Sequence, residues 1–150
     1  MKLQSCLCLL LVTALPAAEP ALKADKFKRG DWEDEIGYRQ AVRVGNTLYV
    51  AGITGEGAMP DAIRGVYGEL QKTLEHYGLT FAHVVKENVY TTDLDALKAN
   101  LEVRRAFYGK EYPAATWVQV SRLYSPAKVL EVELIAVFPE SSVKDTKPGS

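Results

Sequence analysis

The ten residues from Val129 to Phe138 alternate in the manner of a strand that packs against a core. Every even position of this stretch is apolar, namely Leu130, Val132, Leu134, Ala136 and Phe138. A period of two places these side chains on one face of a strand. The opposite face begins with Glu131 and Glu133 and turns apolar at Ile135 and Val137. This mixed face predicts either a half-covered strand whose glutamates face water or a second contact surface, such as another subunit.

Periodicity along the rest of the chain predicts the element order β-β-α-β-α-β-β. The elements are strands over 38–44 and 47–53, a helix over 60–77, a strand over 84–92, a helix over 94–108, and strands within 113–123 and 129–138. Gly45-Asn46 is typical of a tight hairpin turn between the first two strands. The last two strands are expected to form a central hairpin, and residues 52–57, GITGEG, a glycine-rich loop.

The order of these elements predicts an α/β sandwich in which both helices cover one face of a mixed sheet. The helix over 60–77 begins at Pro60 and is closed by Gly78, which suits the position after a helix end. Because a helix connects it to the first hairpin, the strand over 84–92 is expected to run parallel to one of the earlier strands. Two helices cannot cover both faces of the sheet, so another copy is expected to cover the second face.

Residues 1–20 carry the pattern of a secretory signal peptide. Lys2 precedes an apolar run from Leu7 to Leu15, and small alanines follow it. The run is shorter than the roughly 20 residues of a membrane-spanning helix. We expect cleavage between Ala17 and Ala21, and hence a secreted or periplasmic protein that is not attached to a membrane after cleavage. A cytosolic protein with an apolar start and an uncleaved anchor are the open alternatives.

The segments on either side of the periodic region are charged or polar and show no periodicity. Residues 21–35 are predicted to form a leader or linker that docks through Phe27 and Trp32, and residues 140–150 a disordered tail. The folded domain is expected over residues 36–139. Both cysteines, Cys6 and Cys8, lie in the predicted signal peptide, so the mature chain would hold no thiol.

Composition and charge exclude several classes of function. The chain is 47% hydrophobic and 25% charged, as is usual for a globular protein. A net charge of −1 without any basic run gives no electrostatic basis for binding nucleic acid. The two histidines, His76 and His83, are predicted to be surface residues rather than metal ligands. No nucleotide-binding motif and no nucleophile elbow is present.

The candidate chemical groups are polar residues near the ends of the predicted strands. If Glu131 is desolvated at a subunit junction, its pKa would be raised and it could exchange a proton or hold a water molecule. The Tyr38 hydroxyl could donate a hydrogen bond to a ligand oxygen. The plainer interpretations are a solvent-facing glutamate and a half-buried strand tyrosine.

Several short motifs occur in a specific order and spacing. They are IGY at 36–38, GNTLYVAG at 45–52, YGL at 77–79, VVK at 84–86, VYTTDL at 89–94, FY at 107–108, PA at 113–114, VQVSRL at 118–123 and EVELIA at 131–136. In these motifs the chain resembles the reactive intermediate deaminases, also called the RidA or YjgF family and formerly endoribonuclease L-PSP. The resemblance covers about residues 36–138.

The resemblance implies a chorismate-mutase-like fold and a homotrimer with a small-molecule ligand in each cleft between subunits. It implies hydrolysis, without a cofactor, of reactive enamines or imines such as 2-aminoacrylate. The first glutamate of the Glu-x-Glu pair, here Glu131, would position the attacking water, and Tyr38 would line the cleft. The remaining candidate binding positions are Ala115, Thr116 and Val118.

The chain departs from the family pattern at Ala115, where the family has an arginine that clamps the substrate carboxylate. A guanidinium gives a carboxylate two charge-assisted hydrogen bonds, each worth about 1.5–3 kcal/mol. Its loss is expected to weaken the capture of an α-imino acid on the order of a hundredfold. Arg39 follows Tyr38 on an alternating strand, so it is expected to point away from the cleft and not to compensate.

Two hypotheses about function follow from these residues. The first is an exported, divergent deaminase of a small imine or enamine, for which a substrate without a carboxylate is one option. The second is a non-catalytic trimer that binds a small metabolite in the same cleft. On this basis the protein is expected to hydrolyse little 2-aminoacrylate, and Ala115→Arg is expected to raise the rate. Ribonuclease activity, which the older family name suggests, is the weakest hypothesis because the chain is slightly acidic.

Overall fold

A computed structural model describes residues 23–140. Its strands are β1 Ala24–Phe27, β2 Ala41–Val44, β3 Thr47–Glu56, β4 Val84–Thr91, β5 Ala114–Gln119 and β6 Lys128–Val137. Its helices are α1 Trp32–Ile36, α2 Met59–His76, α3 Leu94–Ala99 and α4 Leu101–Tyr108, with one 3-10 turn at Phe81–His83. The predicted signal peptide and nearly all of the predicted tail lie outside the described residues.

The six strands form one mixed sheet in the order β1-β2-β3-β6-β4-β5. β6 lies inside the sheet and pairs antiparallel with both β3 and β4, while β5 pairs parallel with β4 at the edge. The predicted central hairpin of β5 and β6 is therefore wrong, because β4 lies between them. The alternation of side chains shows that a segment is a strand, but it does not show which strand is its neighbour.

The connection through α2 has the direction that the sequence predicts. β3 and β4 are both antiparallel to β6, so they run parallel to each other with β6 between them. The predicted hairpin of β2 and β3 is also confirmed, with Val44 opposite Thr47 across the turn. Along the described residues, no helix is long and apolar enough to cross a membrane.

The hydrophobic core lies between one face of the sheet and helix α2. The even positions of β6 are buried as predicted, and Leu130, Val132 and Ala136 are fully inaccessible to solvent. Helix α2 contributes a buried stripe of Ala62, Ile63, Val66, Tyr67, Leu70 and Leu74. Its end is a Schellman motif, since the amides of Gly78 and Leu79 donate to the carbonyls of Glu75 and Leu74 at 2.9 Å.

The second predicted helix, over 94–108, is interrupted at Asn100. Asn100 has φ −121° and ψ 23°, outside the helical range, and separates α3 from α4. Its side-chain amide donates to the Ala96 carbonyl at 2.9 Å. The interruption reflects the tendency of asparagine to hydrogen-bond to nearby backbone groups instead of continuing a helix. Two short helices therefore replace one long one on the same side of the sheet.

Part of the predicted linker adds regular structure to the sheet. Residues 24–27 form β1, which pairs antiparallel with β2, and residues 32–36 form α1. Phe27 docks as predicted, with its ring stacked on that of His76 at a centroid distance of 3.9 Å. Trp32 is 46% exposed and lies against the Tyr38 ring instead of entering the core. β1 could not be predicted from the sequence, because a four-residue strand at an edge shows too little alternation.

Candidate functional site

The face of the sheet opposite the helices, called here the open face, carries most of the candidate polar groups. Three pairs of residues face each other across β4 and β6 on this side: Tyr90 with Glu131, Asn88 with Glu133, and Lys86 with Ile135. All six residues are only partly buried in the chain. The mixed pattern of β6 therefore marks a real change in polarity along the open face, from acidic at one end to apolar at the other.

Glu131 lies over Gly52 of the neighbouring strand β3. A β-carbon built on Gly52 would lie 3.0 Å from Cγ and from Cδ of Glu131, and closer still to Oε1. The strand register shifts between Val50 and Ile53, so the backbone is irregular beside the carboxylate. The predicted glycine-rich loop over 52–57 is thus wrong, because β3 continues to Glu56. Gly52 instead makes room for the Glu131 side chain.

The surroundings of Glu131 favour a carboxylate that can exchange a proton. Burial raises the pKa of the Glu131 carboxyl above its ordinary value, and the nearby charge of Glu133 raises it further. Within residues 23–140, no hydrogen-bond donor reaches the side-chain carboxylate of Glu131. Its oxygens are therefore available to a water molecule or a ligand. The sequence expectation of a raised pKa refers to a junction between subunits, and that junction stays a prediction.

The second glutamate has a different environment. Glu133 Oε1 accepts hydrogen bonds from Asn88 Nδ2 at 2.7 Å and from the Tyr90 hydroxyl at 3.2 Å. Burial raises the pKa of Tyr90, and Glu133 contributes to that rise, so the hydroxyl keeps its proton at neutral pH and stays a donor. Glu133 is thus held by two donors, whereas the Glu131 carboxylate has none among residues 23–140. This asymmetry suits Glu133 to orienting a ligand and Glu131 to exchanging a proton with it.

A cavity of about 330 Å³ lies on the open face next to Glu133. Its lining includes Arg39, Tyr49, Lys86, Asn88, Glu133 and Ile135. The presence of Arg39 corrects the sequence prediction, which placed this side chain on the far side of an alternating strand. β2 begins only at Ala41, so residues 38–40 are not bound by that alternation.

Tyr38 lies in the segment between α1 and β2 rather than on a strand. It lines a second cavity, of about 430 Å³, together with Asp34, Gly37 and Arg39. Burial raises the pKa of the Tyr38 hydroxyl, with a smaller contribution from Glu33. Glu131 lines neither of these two cavities. Within one chain, Tyr38 and Glu131 therefore lie on different parts of the surface, although Arg39 lines both cavities.

The candidate residues of β5 are divided between the two faces of the sheet. Thr116 and Val118 are in register with Asn88 and Tyr90 and so lie on the open face. Thr116 Oγ1 accepts a hydrogen bond from Lys86 Nζ at 2.6 Å.

Ala115, by contrast, is in register with the buried Glu87 and lies on the helix side. It lines a cavity of about 280 Å³ with Arg104, Arg105 and Tyr112. In a single chain, the sheet separates position 115 from Glu131.

Sequence reasoning missed a buried polar cluster that fixes the position of β5. Glu87 is fully inaccessible to solvent and accepts hydrogen bonds from the Tyr67 and Tyr108 hydroxyls at 2.8 and 2.7 Å. Arg104 donates to the same carboxylate at 2.9 Å, and Trp117 Nε1 at 3.0 Å. A signal was present in the sequence, because Glu87 is in phase with the apolar Val89 at period two. The cluster joins α2, α4, β4 and β5, and so holds Thr116 and Val118 in place.

Neither histidine belongs to a metal-binding cluster, and within residues 23–140 no group of three or more histidine, cysteine or acidic side chains could hold a metal ion. His76 is exposed and stacks on Phe27. His83 Nδ1 accepts a hydrogen bond from the Thr80 amide at 3.0 Å, which caps the 3-10 turn. Both histidines therefore have local structural partners.

Comparison with known proteins identifies a family and several proteins to which this chain is similar. Residues 33–138 match the family described as Endoribonuclease L-PSP. A RutC family protein of Pyrococcus horikoshii is 37% identical over 109 residues, which cover 66% of this chain and 85% of that protein. A 2-iminobutanoate/2-iminopropanoate deaminase of Dermatophagoides farinae is 30% identical over 110 residues, which cover 67% of this chain and 85% of that protein.

Solved structures agree with these relatives. A crystal structure of a member of the YjgF/YER057c/UK114 family from Mycobacterium tuberculosis is 31% identical, with a TM-score of 0.71. It covers 77% of this chain, and the match spans 99% of that structure. The yeast protein Mmf1, at 22% identity and a TM-score of 0.65, shows the same fold. The chorismate-mutase-like α/β fold implied by the sequence motifs is thereby confirmed.

Proposed function

Because the chain belongs to the Endoribonuclease L-PSP family, also known as RidA or YjgF, we propose that it is a deaminase that hydrolyses small imines on the open face of its sheet. The observation that carries this proposal is the environment of Glu131. Its carboxylate is half-buried, has a raised pKa and has no donor within the described residues. Relatives named as 2-iminobutanoate/2-iminopropanoate deaminases, at 25–30% identity, support the reaction class.

The proposed reaction adds water across the carbon–nitrogen double bond of an imine and releases a carbonyl compound and ammonia. Ionised Glu131 accepts a proton from the water as the water oxygen attacks the imine carbon, and gives that proton to the nitrogen to form a carbinolamine. Glu131 then carries the carbinolamine hydroxyl proton to the same nitrogen, which leaves as ammonia as the carbonyl forms. An enamine such as 2-aminoacrylate first takes a proton at its terminal carbon to become the imine. A raised pKa suits Glu131 to this work, since the same group must take up and give back a proton near neutral pH.

We propose further that copies of the chain associate through the open face as a homotrimer and form the ligand clefts between them. In the described part of the chain, helices cover only the other face, while Tyr49 and Val118 are 49% and 38% exposed on the open face. The half-buried Ile135 and Val137 extend this apolar area. Contact with another copy would shield Glu131 from bulk solvent and would bring residues of two chains together. Tyr38 and Glu131, which are apart in one chain, could then line the same cleft.

The proposed site of action is outside the cytoplasm, after removal of residues 1–20. This part of the proposal rests on the sequence pattern alone. No nucleic acid and no membrane is proposed as a partner of the mature protein. The ligand is a small reactive metabolite, and no cofactor is required by the reaction as written.

The alternative function is non-catalytic binding of a small molecule in the same trimeric cleft. Ala115 favours it, because the side chain at this position carries no charge that could hold a substrate carboxylate. The two functions predict different outcomes for one assay. A catalyst accelerates ammonia release, whereas a binding protein retains the ligand unchanged.

The test compares purified wild-type protein with Glu131→Gln and with the control Glu102→Gln, which changes an exposed residue of α4. Ammonia release is followed with 2-aminoacrylate and with a neutral imine of similar size. The deaminase proposal expects Glu131→Gln to lose a factor of about 10² to 10⁴, as is usual for a general base, and Glu102→Gln to behave as wild type. Binding without acceleration by the wild type would support the alternative instead.

A further inference from the structure

We infer that Lys86, assisted by Arg39, is the group that binds the carboxylate of the ligand in this protein. The inference rests on the proposed function and identifies the residues that determine its specificity. Both cations line the open-face cavity of about 330 Å³. They come from β4 and from the segment before β2, and not from β5, where Ala115 lies.

Lys86 brings a positive charge that forms no ion pair within residues 23–140. Its ammonium group donates to the neutral Thr116 hydroxyl at 2.6 Å. Across residues 23–140, no carboxylate lies within 4.0 Å of Lys86 Nζ. An ammonium group carries three donors, so two are left for a ligand. Thr116 lies on β5, which contributes no residue to the cavity lining, so this hydrogen bond holds the ammonium group at the β4–β5 side of the open face.

Arg39 is held in place and contributes directional donors. One of its guanidinium nitrogens forms an ion pair with Asp34 at 2.6 Å, and the other donates to the Tyr38 carbonyl at 2.8 Å. Because Asp34 already pairs with Arg39, Lys86 is the lining cation that has no ion-pair partner within residues 23–140. The anchored guanidinium is thus suited to orient an anion that Lys86 attracts.

Glu133 gives the same cavity an acidic end. Its Oε1 is occupied by Asn88 and Tyr90, and within the described part of the chain no donor reaches its Oε2. The cavity therefore offers cations to a carboxylate and one free carboxylate oxygen to a nitrogen–hydrogen group. This pairing fits a small 2-amino or 2-imino acid, whose carboxylate and nitrogen are separated by one carbon. The apolar Tyr49 and Ile135 leave room for a short aliphatic side chain.

The assignment changes the consequence of Ala115. The sequence alone predicts weak capture of acidic imines, because Ala115 stands where the family has an arginine and Arg39 is predicted to point away from the cleft. Arg39 lines the cavity instead, next to Lys86 and Glu133. A carboxylate can therefore be bound on the open face without any help from position 115.

The test measures binding separately from turnover. The probe is 2-oxobutanoate, a stable carboxylate, titrated into the full-length protein and followed by NMR chemical shifts, with 2-butanone as the neutral analogue. We expect the wild type to bind 2-oxobutanoate and not 2-butanone. Lys86→Met is expected to weaken binding at least tenfold, Lys86→Arg to restore much of it, and Arg39→Gln to weaken it less. Lys110→Met, at an exposed position after α4, is the matched control and should bind as the wild type does.

Kinetics with 2-aminoacrylate separate the inference from the proposed function. If Lys86→Met raises KM and leaves kcat within a few-fold, the lysine acts in carboxylate binding. If the wild type turns over the substrate and Lys86→Met changes neither KM nor 2-oxobutanoate binding, the inference fails while the deaminase stands. If the wild type binds 2-oxobutanoate through Lys86 without any turnover, the inference stands and the deaminase fails. A Lys86→Met protein that dissociates into monomers would overturn the inference, since Lys86 would then serve contact between copies.

Discussion

Glu131 and Gly52 share one space on the open face, and a β-carbon at position 52 would lie 3.0 Å from Cγ and Cδ of the glutamate. The two residues belong to neighbouring strands, so the glycine determines where the carboxylate can lie. This is a requirement of space and not of backbone conformation, because Gly52 does not have a left-handed φ. The pair connects a sequence feature of β3 to the proposed chemistry of β6.

The first prediction is that Gly52→Ala displaces the Glu131 carboxylate and lowers kcat for imine hydrolysis by at least tenfold. A methyl group at position 52 occupies the place of the Glu131 side chain, so the glutamate must turn away from the water that it holds. Gly65→Ala is the control, because a β-carbon there meets nothing within 4 Å and the position is an exposed one in α2. That control should gain about 0.5–1 kcal/mol of stability. Equal kcat in Gly52→Ala and wild type would contradict the proposed role of Glu131.

The second prediction concerns the pH dependence of stability. Burial and the charge of Glu133 raise the pKa of Glu131 in the folded protein above that of the unfolded chain. Between these two pKa values the folded state binds more protons, so the free energy of unfolding decreases as the pH rises through this window. Glu131→Gln should therefore raise Tm at neutral pH and have a smaller effect at a pH below the ordinary glutamate pKa. Thermal unfolding across this pH range, with Glu102→Gln as the control, measures the difference, and a lower Tm for Glu131→Gln at neutral pH would contradict it.

The third prediction concerns the buried Glu87 cluster. Glu87→Leu leaves the buried guanidinium of Arg104 without its carboxylate, and breaking a buried pair in this way costs about 3–5 kcal/mol. The double variant Glu87→Leu/Arg104→Met should recover part of this loss, because no unpaired charge is then buried. Lys128→Met, which removes the half-exposed ion pair with Glu56, should cost no more than about 1 kcal/mol. Urea denaturation measures the free energy of unfolding of all three variants. Additive losses of stability in the double variant would show that Glu87 and Arg104 are not coupled.

The fourth prediction is that the protein is a trimer in solution and that Tyr49→Glu reduces it to monomers. Tyr49 lies on the open face with 49% of its surface exposed, so a charge there would be buried between copies. Tyr124→Glu is the matched control, since Tyr124 is 78% exposed in the segment between β5 and β6. Light scattering gives the mass of each protein. A monomeric wild type would remove the proposed clefts between copies.

The fold class could be predicted from the sequence, because the strongest sequence signals for it are local and repeated. The alternation of β6, the amphipathic stripe of α2 and the glycine at its end all follow from side chains only a few residues apart. Those signals cannot report partners that lie far apart along the chain. The predicted β5–β6 hairpin failed for this reason, since pairing is decided by which strands the α3–α4 connection brings together.

The site could be predicted only in part, again because sequence patterns report local positions and not distant neighbours. Glu131 and the open-face positions Thr116 and Val118 could be found from motifs and alternation. The alternation pattern gives Arg39 the wrong orientation, because the predicted strand begins at residue 38 and β2 begins at Ala41. The pattern does not single out Lys86, because a lysine in a strand gives no indication of its neighbours. The Glu87 cluster was missed although its phase was visible, because its four donors come from three other elements.

By itself, the sequence determined the family, the order of the main elements and the glutamate on which the proposed reaction depends, since each of these is encoded in short patterns or in their spacing. Only the tertiary structure decided that β6 lies between β3 and β4, that Gly52 makes room for Glu131, and that Lys86 and Arg39 meet in one cavity. The physical reason is that hydrogen-bonded sheets and cavities join residues far apart in the chain, and their relative positions are fixed by packing rather than by local preference.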